Sequence, residues 1–433
     1  MVLKIQNKKV IWGISPWSTM WSMGEKKGYR GYYYILKAFV NAGYETHLFC
    51  LNDSDFKNDE LCEGIYIHRF RVPLQRVIRQ LQIKSMRLKI FGFIGNQILQ
   101  FLFVLLYVIS VVKRILNFSK KGPSLIYAYS AYDVLPAYIL SRHYSVPNIT
   151  RLFGTYITPR DFKLRLLTKW QEIIAFKMPC RYLIVLNDGT QGDKIAKMVG
   201  VPHERLKFWY DGVDKQIYNP IFNSDEFKKE LGLDNSVRII LTLSRLVNWK
   251  HLERIINAMP YIVSEFKNVV LLIVGDGPER KKLEKISQIL DMEKYVKFTG
   301  SVNIKETSNY MNLADIFVSV NDVSNVSNGL LEAMVCGKCI VTLDVGDTKR
   351  LIRDNETGKL ISVKNQKSII TDLSKTIIDI LKDENLRKKL GDNARFYAEK
   401  HFKSWEERMG IELDLIRSLI THNNYVKIEN KII

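Results

Sequence analysis

The 433-residue sequence predicts an α/β protein made of two Rossmann-like domains. Three observations lead there. Short apolar runs alternate with helical patterns through both halves. In the second half these runs are continuous Val/Ile/Leu segments, as strands covered on both faces should be. A turn-rich stretch, 212–223, separates the halves, and the length exceeds what one core usually holds.

Taken in order, the strand-like runs of the first half are KVIWGIS (9–15), ETHLFC (45–50), SLIYAY (124–129), NITRLF (148–153) and YLIVLN (182–187). Helical patterns lie between them at Tyr32–Ala42 and Leu135–Tyr144. The second half offers RIILTLS (238–244), VVLLIVG (269–275), VKFTG (296–300), IFVSV (316–320) and CIVTLD (339–344). Its helical stretches are Leu252–Glu265, Arg280–Leu290, Ser308–Asn312 and Leu330–Val335. From Lys403 to Ile420 the chain is amphipathic, with Trp405, Met409, Leu413, Ile416 and Leu419 near one face. No tandem repeat or low-complexity tract interrupts the pattern. Ligands of such sheets bind outside the carboxyl ends of the strands.

Hydrophobic residues make up 46% and charged residues 25%, which excludes disorder, collagen and coiled coil. Five cysteines are too few, and odd in number, for a disulfide scaffold, so a reducing compartment is expected. Cys336 and Cys339 have metal or redox spacing, but no second pair or nearby histidine completes a site. The N-terminus lacks an apolar region long enough for a signal peptide.

Charge is uneven. Residues 1–220 hold 32 basic and 15 acidic residues; the remainder hold 33 and 30. From Gly64 to Tyr132 there are eleven basic residues and no acidic one. Such a block marks an anionic partner. Inside it, ILQFLFVLLYVISVV (98–112) is almost wholly apolar, and Asn96, Gln100, Tyr107, Ser110 and Arg114 fall on one narrow helical stripe. Three readings of the segment from Phe91 to Val112 stay open: a buried helix, a membrane-surface helix, or a span. No helix-turn-helix or RNA-binding signature accompanies the charge, so nucleic acid is not the expected partner.

The second half holds the chemistry-bearing motifs. Arg245 follows a strand and Lys250 comes five residues later, before a helix. Two cations at the mouth of a sheet suit a diphosphate. Gly275-Asp276-Gly277-Pro278 is a tight turn that brings backbone close to a ligand. Ser327-Asn328-Gly329 opens a helix through Leu330, Glu332 and Met334, and the amides at such a start attract anions. Glu332 could accept the two hydroxyls of a ribose.

In this order the segments resemble the retaining GT-B glycosyltransferases of family 4, the "group 1" class. The resemblance includes Arg245 and Lys250, Gly275 to Pro278, Phe298-Thr299-Gly300, Leu331-Glu332-Ala333-Met334 with Cys336-Gly337, and NETGKL (355–360). In the first half it is looser. It takes in the Gly24 to Gly28 loop, Gly43-Tyr44-Glu45, and Asp211-Gly212-Val213-Asp214 with Tyr218-Asn219-Pro220.

The resemblance implies a GT-B fold whose two Rossmann-like domains face across a cleft. Residues 1–218, completed by a returning helix at 404–420, would bind acceptor, and residues 219–403 the donor. Arg245 and Lys250 would hold the donor diphosphate, Glu332 the ribose, and the Asn328, Gly329 and Leu330 amides the phosphates. Gly275, Asp276, Gly277 and Ser324 would line the donor site, with Gly24 and Gly28 approaching from the first domain. The implied activity is retaining transfer from a nucleotide-diphospho-sugar, without a metal or other cofactor. Three positions depart from the family pattern. Ser324 stands where the first Glu of Glu-x7-Glu is usual, Phe153-Gly154 replaces His-Gly, and Tyr127-Ala128-Tyr129 replaces His-x-His. Phe153, Gly154 and Tyr129 are the acceptor-side candidates. The basic first half and its apolar helix point to a glycan or lipid-linked acceptor, an anionic membrane surface, and a peripheral position at the inner face. The alternative is a catalytically degenerate accessory subunit that binds nucleotide or glycan.

Overall fold

The computed structural model describes residues 9–18, 30–52, 56–85, 90–159, 162–165, 168–218 and 222–432. The Gly24 to Gly28 loop lies outside them. The chain divides into two compact units. One comprises 1–187, 191–210 and 406–433; the other comprises 188–190 and 211–405.

In the first unit the order is β1 (Val10–Ser15), α1 (Arg30–Asn41), β2 (Glu45–Leu51), β3 (Asp59–Cys62), β4 (Ile65–Phe70), α2 (Gln75–Ser85), α3 (Ile90–Phe118) and β5 (Leu125–Ala128). There follow α4 (Val134–Tyr144), β6 (Asn148–Leu152), α5 (Phe162–Arg165), α6 (Trp170–Lys177), β7 (Tyr182–Leu186), α7 (Gly192–Met198) and β8 (Leu206–Trp209). The sheet runs β3-β4-β2-β1-β5-β6-β7-β8 and is parallel except for the β3–β4 hairpin. That hairpin turns at Glu63 and Gly64, both with positive φ, as a two-residue turn matched to strand twist requires. The basic block that begins at Gly64 therefore opens with strand β4. Its register on β2 buries Ile65, Ile67 and Phe70.

The second unit contains α8 (Ser224–Glu230), β9 (Arg238–Leu243), α9 (Glu253–Glu265), β10 (Val269–Val274), α10 (Arg280–Ile289), β11 (Val296–Gly300) and α11 (Ile304–Leu313). It continues with β12 (Ile316–Ser319), α12 (Asn328–Val335), β13 (Cys339–Leu343), β14 (Lys359–Ile361), α13 (Ile369–Lys382) and α14 (Glu384–His401). Its sheet, β11-β10-β9-β12-β13-β14, is wholly parallel. The stretch expected at Ser308–Asn312 starts earlier, because Asn303 and Glu306 form a reciprocal cap at Ile304. The core gathers β9, β10, β12 and β13 with the apolar faces of α9 and α13.

Both sheets start in the middle and grow outward first to one side, then to the other. This places a topological switch point between β1 and β5 in the first unit and between β9 and β12 in the second.

The last helix, α15 (Trp405–Ile432), is longer than the expected run to Ile420. Within the first unit Glu412 is fully buried. It accepts hydrogen bonds from Tyr127, from Arg151 at 2.9 Å and from Arg408 at 3.0 Å. One carboxylate therefore offsets charge on two buried guanidinium groups.

Candidate functional site

The carboxyl ends of β9, β10 and β12 bring three loops together. Arg245 stands exposed just beyond β9, and Lys250 ends a short 3₁₀ turn, Asn248–Lys250. The turn of Gly275 to Pro278 lies against this loop. The Leu246 amide donates to the Asp276 carbonyl at 3.0 Å, and the Glu279 amide donates to the Leu246 carbonyl. The glycines are needed for that approach. A Cβ on Gly277 would sit 2.3 Å from the Leu246 carbonyl oxygen, and one on Gly275, whose φ is +138°, 1.9 Å from that of Ser244. The Asp276 carboxylate accepts from the Gly277 amide and pairs with Arg280.

On the other side of β9 stands the start of α12. Ser327 caps it, accepting from the Leu330 amide at 3.3 Å. Helix geometry leaves the Asn328 and Gly329 amides without carbonyl partners in their own helix. Gly329 is close to β9: a Cβ there would meet the Leu243 carbonyl at 3.3 Å. Glu332 lies one turn further in and is buried. The cations after β9 and the positive end of α12 thus flank the switch point.

The electrostatics suit an anion. Burial and the neighbouring Arg245 push the Lys250 ammonium down to about 8, opposed by Asp188. Burial raises the Asp188 carboxyl to about 6 despite hydrogen bonds from Thr190. Two cations held side by side with little acidic compensation are poorly placed until a diphosphate arrives.

Several residues of this region escaped sequence reasoning. Asp188 follows β7 yet joins the second unit. Its carbonyl accepts from the Ser324 hydroxyl at 2.5 Å, which gives Ser324 a loop-fixing bond. Asp322 pairs with His251 and Arg254, each at 2.6 Å. Arg254 also donates to the Val320 carbonyl. Asn325 is fully buried: its carbonyl oxygen accepts from Ser319 and from the Asn321 amide, while its amide donates to the carbonyls of Asn321 and Leu343. The Asp188 and Asp322 contacts span residues far apart in sequence, so local spacing gave no signal. An Asn two residues before the capping Ser327 was the hint at Asn325.

The acceptor-side candidates cluster in the first unit. Phe153 packs on Trp17 at 5.6 Å and under the Arg151 guanidinium, and Gly154 follows with φ +90°. Tyr129 is fully buried against Tyr32 and Tyr127, so its ring is part of the wall beneath the β1–β5 switch point. Cys336 and Cys339 are buried free thiols pushed up to about 12 by burial.

Comparison with known proteins agrees with this geometry. Residues 223–396 match the family described as glycosyl transferases group 1. The chain is 28% identical over 205 residues to N-acetyl-alpha-D-glucosaminyl L-malate synthase of Bacillus anthracis, covering 47% of this chain and 51% of that protein. It is 28% identical over 213 residues to the GDP-mannose-dependent monoacylated alpha-(1-6)-phosphatidylinositol monomannoside mannosyltransferase of Corynebacterium glutamicum, covering 47% and 54%. The match thus spans about half the length of these relatives. Sucrose-phosphate synthase from Thermosynechococcus elongatus superposes with a TM-score of 0.72 at 18% identity, covering 96% of this chain and all of that one. The fold is the GT-B fold of two Rossmann-like domains, and the second of them carries the likeness to the group 1 glycosyltransferases.

Proposed function

We propose that the chain transfers a sugar, with retention at the anomeric carbon, from a nucleotide-diphospho-sugar to a membrane-associated glycan or lipid-linked acceptor. The observation that carries this reading is the meeting of Arg245, Lys250 and the capped start of α12 at one switch point. In such a transfer the bond from sugar to diphosphate breaks as negative charge develops on the diphosphate, the acceptor hydroxyl oxygen bonds to the anomeric carbon, and the hydroxyl proton passes to the leaving diphosphate oxygen. Arg245, Lys250 and the α12 amides receive that charge, which leaves no step that requires a metal. Glu332 is assigned to the ribose, and the Gly275 to Gly277 backbone to the donor's approach. The Corynebacterium relative, whose name gives GDP-mannose as donor and a phosphatidylinositol mannoside as acceptor, supports a lipid-linked substrate. The chain would work as a peripheral protein at the inner face of the membrane, in the synthesis of surface polysaccharide or glycolipid.

Thermal shifts against UDP, GDP and ADP, with the free nucleosides as controls, test the donor site. A ligand at about 100 times its Kd adds roughly 2.7 kcal/mol. Stabilisation by one diphosphate and not by its nucleoside is the expected result, and its loss in Arg245→Ala ties it to the site. No shift with any diphosphate would sink the reading.

A further inference from the structure

Helix α3 is amphipathic the wrong way round. Its polar stripe should face water and its apolar side the core. Instead Tyr107 is fully buried, donating its hydroxyl to Asp133 at 2.5 Å, and Arg114 pairs with Asp59 on the hairpin. Tyr107, Val111 and Ile115 belong to the core of the first sheet, with Trp12, Phe49 and Ile126. The opposite side shows a line of large apolar residues: Ile94, Ile98, Phe101, Leu105 and Ile109, exposed by 46–63%. On α2, which packs beside it, Val77 and Leu81 are exposed as well, as is Leu74 just before the helix.

We propose that α3, with α2 beside it, seats this unit on an anionic lipid bilayer by laying that apolar line into the boundary between headgroups and acyl chains. The inference deepens the proposed membrane acceptor by naming the surface that meets the membrane. Three features select a bilayer over other partners. The line covers four turns, far more than scattered surface residues do. It is bordered by exposed basic residues, Arg76 and Arg79 on α2 and Lys113, Lys120 and Lys121 at the far end of α3. No acidic residue lies between Gly64 and Tyr132, so a second copy of the chain would oppose one basic rim to another. Although Phe93–Phe118 is long and apolar enough to cross a bilayer, only 28% of its apolar 18-residue window is buried, and the buried side is core. The Tyr107–Asp133 bond and the packing of Val111 and Ile115 hold α3 on the sheet, so it lies in the membrane plane and does not span.

The test uses the full chain and phosphatidylcholine vesicles with or without phosphatidylglycerol. Sedimentation with the anionic vesicles at low salt is expected. The pair Arg76→Gln and Arg79→Gln should weaken it about thirtyfold, and Ile98→Gln with Phe101→Gln about tenfold or more. Phe101→Trp should shift its emission to the blue on vesicles, and alkaline carbonate should release the protein. Equal binding by the stripe variants, indifference to phosphatidylglycerol, resistance to carbonate, or a dimer that Ile98→Gln and Phe101→Gln dissolve would each overturn the proposal. Nucleotide thermal shifts on the same variants verify folding. They also separate the two readings, because vesicle binding without any nucleotide response sinks the proposed function alone.

Discussion

Tyr107 and Asp133 join at 2.5 Å inside the first unit, on the side of α3 that packs Val111 and Ile115 into the core. Asp133 also accepts from Ser130 at 2.7 Å, yet burial still lifts its carboxyl to about 8. Between the unfolded carboxyl range near 4 and about 8, the folded state holds a proton that the unfolded chain has released. Stability contributed by that proton is therefore full in acid and declines as pH rises through this window.

Asp133→Asn removes that decline. Urea titrations between pH 5 and 9 should show the parent losing up to about 1.4 kcal/mol per pH unit relative to the variant. Parallel profiles for the two proteins would refute the assignment. Tyr107→Phe keeps the ring packing but strands the acceptor, so it should cost about 1–3 kcal/mol, more at high pH because the lost bond favours the charged carboxylate.

Lys250 is a second case of a group held against its preference. Its folded value of about 8 lies below that of a free lysine, so between the two values folding releases a proton and stability rises with pH. Lys250→Met should raise the melting temperature while removing diphosphate binding. In the parent, affinity for the nucleoside diphosphate should fall above about pH 8, as the ammonium is lost. Lys250→Arg should bind with a flat profile over the same range, and calorimetry across pH 7 to 9.5 reads both.

Asn325 holds the loop before α12 through four side-chain hydrogen bonds. Asn325→Ala should cost about 1–3 kcal/mol from the stranded partners. It should also weaken diphosphate binding, although Asn325 itself is buried away from any ligand. Unchanged affinity in a folded variant would show that the loop does not position α12.

Glu412 compensates Arg151 and Arg408 in a site without solvent. Glu412→Gln removes the carboxylate that two buried guanidinium groups share and should destabilise by about 3–5 kcal/mol. Denaturant melting of the first unit measures it, and the diphosphate response of the second unit should survive.

The parts of this fold that were legible in sequence share a cause. Strands buried on both faces must be apolar at every position, so β9, β10, β12 and β13 announce themselves. β3 reads Asp-Glu-Leu-Cys and lies at an edge, where no apolar run is required. Helices α13 and α14 follow one another with only Asp383 between, and that residue caps the second by accepting from the Leu386 amide. Arg245, Lys250 and Ser327 to Leu330 were legible because each motif is local to one strand end. Asp188 and Ser324 meet across 136 residues, and no periodicity encodes that. The stripes on α3 were visible from spacing, but which one faced inward depended on Asp133, a partner beyond the helix.

The Glu412 contact also orders events in time. Arg151 leaves the ribosome 261 residues before the carboxylate it needs. At roughly 5–20 residues per second, that gap lasts on the order of ten to fifty seconds. Throughout it the nascent first unit lacks the carboxylate that Arg151 meets in the finished core. The second unit, whose chain runs almost unbroken from 211 to 405, can close in that interval. The part of the protein synthesised first is thus the part completed last.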